Sequence, residues 1–449
     1  MYKVILAIRY LLKRRISYLA FLAVALCVFI VVVVMTVMTG VVGDFKDKNH
    51  NFAGDCVVGT ESLVGFPYYE DFVKILEQAD FVYAVSPVIK SYALVSPGQN
   101  SRNVGLELIG IDPARHIRAT GFGDTLYYHR NDPAKAFCPE YDPNSIGFII
   151  GIDRWIARNA EGRYDYESVA RNEELIVSCI PLNAKGALSK AGTDVVNTKN
   201  FYFSDTSHSG LAKVDYWTIY LPFEQAQMLC GMDGQDKRIN AIHIKFKPDE
   251  KVNAGCAKVS ILWQNFVREN SGRDKANLLQ NVTVQSWKSY RRTFIAAMEK
   301  EQVMMIAVFM MVGIITVFIV LVVFYMIIGH KSKDIGILKS IGVSNGNIIQ
   351  LFSGFAFLIG ISGSAVGAFC GWLFLLKINS IEEWLFRHFG FQLWDRTIYA
   401  IGEIPHRIEP EVLGLIVLAA IAACLAGAII PSWQAARLKP VDSLRVNQL

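Results

Sequence analysis

Between the first and second apolar stretches of this 449-residue chain lie five cysteines, Cys56, Cys138, Cys179, Cys230 and Cys256, the side chains with the most chemistry open to them. In an oxidising compartment they would pair as disulfides, but an odd number leaves at least one unpaired and their spacing assigns no connectivity. The other reading is that each is a small buried apolar side chain. No Cys or His pair has metal-ligand spacing, the nearest two of the eight histidines being His116 and His129, so no metal site is expected. Catalytic signatures are missing as well. Gly-Lys occurs nowhere, which removes a phosphate-binding P-loop, and His-Glu-x-x-His is absent too. The expectation is a chain that is not an enzyme and binds no cofactor itself.

Two other residue sets have spacings suited to contact. In 330–350 (HKSKDIGILKSIGVSNGNIIQ), Ile335, Leu338 and Ile341 recur every three residues beside Lys333, Asp334 and Lys339, with Ile337 between them. Gly342 suits the position just past a helix end and Ser344 a following N-cap. A short amphipathic helix there would fit a partner's groove; a helix lying in lipid headgroups is the alternative. The second set is Gly363, Gly367 and Gly371, followed by Ala419, Ala423 and Gly427 at the same four-residue step. Small residues on one face let membrane helices approach closely, within one subunit or between two.

Four stretches must position these sets: 17–42, 303–329, 351–376 and 412–430. Each reaches the ~17–25 residues a helix needs to cross a bilayer. None contains an Asp, Glu, Lys, Arg or His, which argues against ion-coupled transport and against a wet pore. With a basic start and an apolar run far longer than a signal peptide's, the first stretch reads as an uncleaved anchor.

The net charge is +5. Lys3, Arg9, Lys13, Arg14 and Arg15 precede the first stretch, Lys331, Lys333 and Lys339 lie between the second and third, and Arg437, Lys439 and Arg445 follow the fourth. Asp334 and Asp442 are the acids there, whereas loop 377–411 has more acids than bases. Cationic flanks stay cytoplasmic, so both termini (1–16 and 431–449) and 330–350 are expected inside, with 43–302 outside. The basic excess thus orients the chain, and nucleic-acid binding is not expected.

Segment 43–302 reads as mixed α/β. A helical period runs over 68–79, then an apolar run in which Pro87 predicts an edge strand or a break. Strands are expected at 104–111, 147–152, 217–221 and 241–246, and helices at 154–159, 223–230 and 254–269. Residues 160–215 read as loops or an inserted subdomain. A helix over 289–302 is expected to run on into the second span as a stalk, while Gly40 and Gly43 would loosen the exit from the first. The fold class is therefore four transmembrane helices with a large mixed α/β extracytoplasmic domain between helices 1 and 2.

Several stretches together resemble the FtsX-like, MacB-type (type VII) ABC transporter permeases, above all the lipoprotein-releasing LolC/LolE permeases. They are RYLLKRRISYLAFLAVALCVFIVVVVMTVMTG at the start, IYLPFEQAQMLCG (219–231), VQSWKSYRRTFIAAMEKE (284–301), KDIGILKSIGVSNGNII (333–349), the loop 382–410, and IPSWQAARLKPVDSLR (430–445). Positions 116–215 match poorly, and Met38-Thr39-Gly40 stands where those permeases usually have Met-Asn-Gly. The resemblance implies a multi-pass protein of the bacterial inner membrane, working as a homo- or heterodimer with two copies of a cytosolic ABC ATPase that binds the ATP and magnesium. It further implies that Lys333–Gly342 is the coupling helix and that the subunit is a mechanotransmitter releasing lipoproteins or other lipid-linked cargo. LolC-type permeases recruit a periplasmic carrier through a hook in the outer domain, for which no matching residues are found here. A MacB-like exporter of small molecules or peptides and an FtsX-type regulator of a cell-wall hydrolase are the competing readings. MacB carries its ATPase at the N-terminus, and sixteen residues precede the first span here.

Overall fold

The computed structural model describes residues 15–97, 103–156, 164–166, 172–189, 195–234, 237–390 and 404–437. The expected cytoplasmic N-terminus, most of the C-terminal tail and part of loop 377–411 lie outside the described residues. Two units are present, one drawn from the chain up to Gly43, from Ala297–Trp394 and from Glu403 onward, the other mainly from Asp44–Ala296.

We number the described α-helices of seven residues or more α1 (Arg15–Ala53), α2 (Tyr69–Glu77), α3 (Pro113–Ala119), α4 (Phe223–Leu229), α5 (Val252–Glu269), α6 (Arg292–Ser340), α7 (Asn345–Phe389) and α8 (Pro410–Arg437). Four of them, α1, α6, α7 and α8, are long and apolar enough to cross a membrane, and the α/β unit is inserted between the first and second of these. Each outruns its apolar stretch. Gly40 and Gly43 do not interrupt α1, contrary to the expected loosening. At Gly40 a Cβ would lie 2.4 Å from the Pro405 side chain, so this glycine serves close packing. The expected stalk is helical from Arg292 rather than from residue 289, because a separate turn, Trp287–Tyr290, ends at Arg291.

The described residues of the inserted domain hold eleven strands: β1 (Cys56–Gly59), β2 (Phe66–Pro67), β3 (Val82–Pro97), β4 (Val104–Ile111), β5 (Gly147–Gly151), β6 (Glu174–Cys179), β7 (Asn197–Ser207), β8 (Thr218–Pro222), β9 (Arg238–Ile239), β10 (Ala241–Phe246) and β11 (Thr283–Ser286). Strand β3 organises them. Its first half pairs with β10, which leads on to β1 and β11. Its second half pairs with β4 on one side and β6 on the other. From β4 the ladder passes through β8, β5 and β7 back to β6, so six strands form a closed ring. Closure removes the exposed edges of these six strands, while β11 ends the branch through β10 and β1.

This topology corrects two expectations. Within the range read as loops or an inserted subdomain, Glu174–Cys179 and Asn197–Ser207 are strands β6 and β7, which close the ring of the main domain. Polar residues such as Asn197, Thr198, Lys199 and Asn200 start β7, and half-exposed positions hide its strand period. Pro87 is not on an edge strand, because β3 lies between β10 and β4. Pairing with β4 begins only at Val88, so Pro87 has a ladder partner on one side alone, which a residue lacking an N–H tolerates.

The domain core is aromatic. Phe72 of α2 lies 4.7 Å from Trp263 and 5.2 Å from Phe266 of α5 between ring centroids, and Phe66 lies 5.5 Å from Trp263. The apolar period of α2 produces this, since Tyr69, Phe72, Val73 and Leu76 are all buried on one face. At the end of β4, Asp112 caps α3 by accepting from the Ala114 and Arg115 amides, with Pro113 at the first helical position.

Candidate coupling site and helix-packing faces

The segment between the second and third spans is the tip of α6, not the short independent helix expected there. No glycine or proline stops α6 until Gly342, which adopts φ +97°. The Gly342 amide donates to the Lys339 carbonyl at 3.0 Å and the Val343 amide to that of Leu338 at 3.1 Å. This is the paired arrangement of a Schellman C-cap. Two residues later the Ser344 hydroxyl accepts from the Asn347 amide and opens α7. Two capped ends thus reverse the chain within four residues.

The recurring isoleucines and leucine do not form one stripe. Steps of three residues fall about 60° short of a full turn, so side chains six positions apart diverge by about 120°. Ile335 is 2% exposed and packs into the membrane unit with Ala435 and Ala436, while Leu338 is half-buried. Ile337 and Ile341, four apart, share a face and are 49% and 76% exposed. Among the charged residues, Lys333 is exposed, Lys331 pairs with Asp334, and the Lys339 ammonium donates to the Ala436 carbonyl at 2.6 Å. That bond ties the tip of α6 to the last turns of α8. Of the residues expected to couple, Ile337, Ile341, Gly342 and Lys333 are therefore the exposed ones, while Ile335 is buried and Lys339 is tied to α8.

The glycine step on α7 faces α1 within the same chain. A Cβ on Gly363 would lie 3.0 Å from Val24, on Gly371 3.1 Å from Val32, and on Gly367 2.4 Å from the Ala25 carbonyl oxygen. Gly367 is the tightest, because there the opposing atom is backbone. The stripe on α8 divides. Gly427 is buried 2.7 Å (measured from a Cβ position) from the Val317 carbonyl of α6, Ala423 is half-buried and Ala419 is exposed.

Sequence reasoning missed a second constellation, at the base of the inserted domain. The Arg291 guanidinium donates to the Asn49 side-chain oxygen at 2.7 Å and lies 4.9 Å from the Phe52 ring and 4.3 Å from that of Phe294. His50 stacks on Trp287 at 4.6 Å and donates to Asp55 at 2.6 Å. Lys245 and the Phe246 amide also donate to Asp55. Burial pulls the Asp55 carboxyl upward, but these donors outweigh it and hold it below its ordinary value. Burial brings Arg291 down to about 10, against the opposing charge of Glu107. The end of α1 and the start of α6, where the chain enters and leaves the domain, are thereby clamped together. The signal was faint, a His and an Asp five apart and a Trp-x-x-x-Arg, with 242 positions between Asn49 and Arg291.

The family described as FtsX-like permease C-terminal matches residues 305–440. The lipoprotein-releasing system transmembrane protein LolC of Neisseria meningitidis serogroup B is 21% identical over 377 residues, 84% of this chain and 81% of that protein. The LolC of Xylella fastidiosa is 30% identical over 121 residues, 27% of this chain and 29% of that protein. The periplasmic region of MacB from Actinobacillus actinomycetemcomitans aligns with a TM-score of 0.31 and 11% identity, over 56% of this chain and 97% of that one. With four helices among the described residues long and apolar enough to cross a membrane and an α/β domain between the first two, the chain matches the FtsX-like permease C-terminal family over the last three of them and is similar to LolC over most of its length.

Proposed function

We propose that this chain is the permease subunit of an ABC transporter that relays force from a separate cytosolic ATPase to a domain outside the inner membrane, releasing lipoproteins or similar lipid-anchored cargo. The observation that carries the reading is the capped tip of α6, which leaves Ile337 and Ile341 exposed on the face that a soluble partner would meet. Helix α6 spans 49 residues, about 74 Å at 1.5 Å per residue, and its first residue adjoins Arg291 of the clamp. A displacement at Ile341 is transmitted along one hydrogen-bonded rod. The clamp supports this role, because it couples the rod to the end of α1. Similarity to proteins named for lipoprotein release supports the cargo class. The apolar stretches carry no Asp, Glu, Lys, Arg or His, which agrees with cargo that need not cross the bilayer.

In membranes containing the permease with its ATPase, Ile341→Asp and Ile337→Asp should each lower ATP-driven cargo release at least tenfold, since a carboxylate in an apolar contact loses both burial and charge compensation. Insertion of the permease into the membrane should be unchanged. Full release by both variants would remove the docking assignment.

A further inference from the structure

The five cysteines of the inserted domain sort themselves in the structure. Cys56 and Cys256 are within hydrogen-bonding reach of one another, and so are Cys179 and Cys230. Backbone geometry brings each pair together independently. The Cys256 thiol on α5 also points at the Asp55 carbonyl at 3.9 Å, next to Cys56 on β1. Cys179 is opposite Asn197 in the β6–β7 ladder, and the Asn197 side-chain amide donates to the Met228 and Leu229 carbonyls at 3.1 Å, directly before Cys230. Cys56, Cys179 and Cys230 are buried, Cys256 is half-buried, and Cys138, outside both pairs, is exposed.

We propose that Cys56–Cys256 and Cys179–Cys230 are disulfides in the mature protein and that Cys138 is its free outer thiol. This rests on the proposed location of the domain outside the inner membrane, where thiols are oxidised. The two bonds would brace the ring at different places, one tying β1 to α5 and the other tying β6, which closes the ring, to the end of α4. A domain that transmits a pull has use for both.

The oxidant is a disulfide, carried by a thiol–disulfide exchange protein or by glutathione. Within the first pair, the hydrogen bond from Cys56 lowers the Cys256 thiol, whereas sharing that bond and burial raise Cys56. Cys256, the more accessible of the two, therefore attacks. Its thiolate adds to one sulfur of the donor disulfide and expels the other as a thiolate. Cys56, on losing its proton, then attacks the Cys256 sulfur and expels the second donor sulfur. Two thiols become one disulfide, the donor disulfide becomes two thiols, and the two protons pass to the donor. The same exchange closes the second pair, where Cys179 holds Cys230 in the lowered state.

The test uses the full chain in the membrane. Spheroplasts are first treated with a membrane-impermeant maleimide; the protein is then denatured, alkylated with a second reagent, reduced, alkylated with a third, and mapped by peptide. The expected pattern is Cys138 carrying the first label and Cys56, Cys179, Cys230 and Cys256 carrying only the third, with two linked peptides in unreduced digests. If Cys138 takes the first label while the four others take the second, the disulfides are overturned and the outer location stands. If Cys138 takes the first label only after permeabilisation, the location itself is overturned.

Discussion

The two units hold together by opposite means. In the membrane unit the closest contacts are made where side chains are absent, with Gly363, Gly367 and Gly371 letting α7 approach α1 and Gly427 letting α8 approach α6. In the inserted domain the densest contacts are between the largest side chains, with Phe66, Phe72, Trp263 and Phe266 in edge and tilted ring packings. The solvent explains the contrast. Water drives aromatic area into the domain core, whereas lipid gives apolar side chains no reason to leave it, so helices there associate through close backbone approach. Mutations should therefore fail in opposite senses, by loss of volume in one unit and by gain of volume in the other.

Phe72→Ala is the largest expected effect. It should lower the stability of the inserted domain by about 4 kcal/mol, the usual scale for truncating a buried phenylalanine. Urea unfolding of the full chain in detergent, followed by tryptophan emission, would show it. A change below ~1 kcal/mol would mean that the aromatic cluster is not the core it looks like.

Gly367→Leu tests the other half, since even a Cβ there would meet the Ala25 carbonyl oxygen at 2.4 Å. An overpacking cost of about 3 kcal/mol is expected, visible as a fall in the thermal midpoint in detergent. Gly354→Leu, where a Cβ meets nothing within 4 Å, should leave that midpoint almost unchanged. Equal behaviour of the two variants would break the comparison.

The smallest effect separates the units by acid. Burial, with the Lys90 charge adding to it, brings His116 down to about 3 from its ordinary 6.5, so it is neutral in the folded domain. Its Nδ1 shares a hydrogen bond with the Ser86 hydroxyl at 3.0 Å. Between pH 3 and 6.5 the unfolded chain holds the extra proton, so stability is fully present above 6.5 and falls as pH drops through that window. From pH 6.5 to 5 His116 alone should cost the inserted domain roughly 2 kcal/mol. His243, also lowered by burial, acts in the same sense. The apolar spans contain no Asp, Glu, Lys, Arg or His and should not follow. In His116→Gln, the slope of stability against pH should lessen by about one proton; an unchanged slope would show that the ring titrates normally.

Composition and order along the chain made much of this legible. The four spans, the insertion point, strands such as Val104–Ile111 and Ala241–Phe246, the helix over Tyr69–Glu77, and the Gly342 and Ser344 ends of the turn between α6 and α7 all rest on local chemistry. Hydropathy, period and capping act within a few residues, so one strand of sequence contains the whole cause. The ring was not legible, because its closure depends on β6 pairing with β3 and β7 with β5, distant segments of the chain, and half-exposed strands carry little period. Nor was the division of 335–341 into a buried anchor and an exposed pair, which depends on α6 continuing unbroken past the span. The Asn49–Arg291 clamp and the two cysteine pairs belong to the same class. Their members lie between 51 and 242 positions apart, as Cys179 and Cys230 or Asn49 and Arg291 show. A chain's own sequence sets which groups are available; only the closing of the ring and the packing of α5 on β1 decide which of them meet.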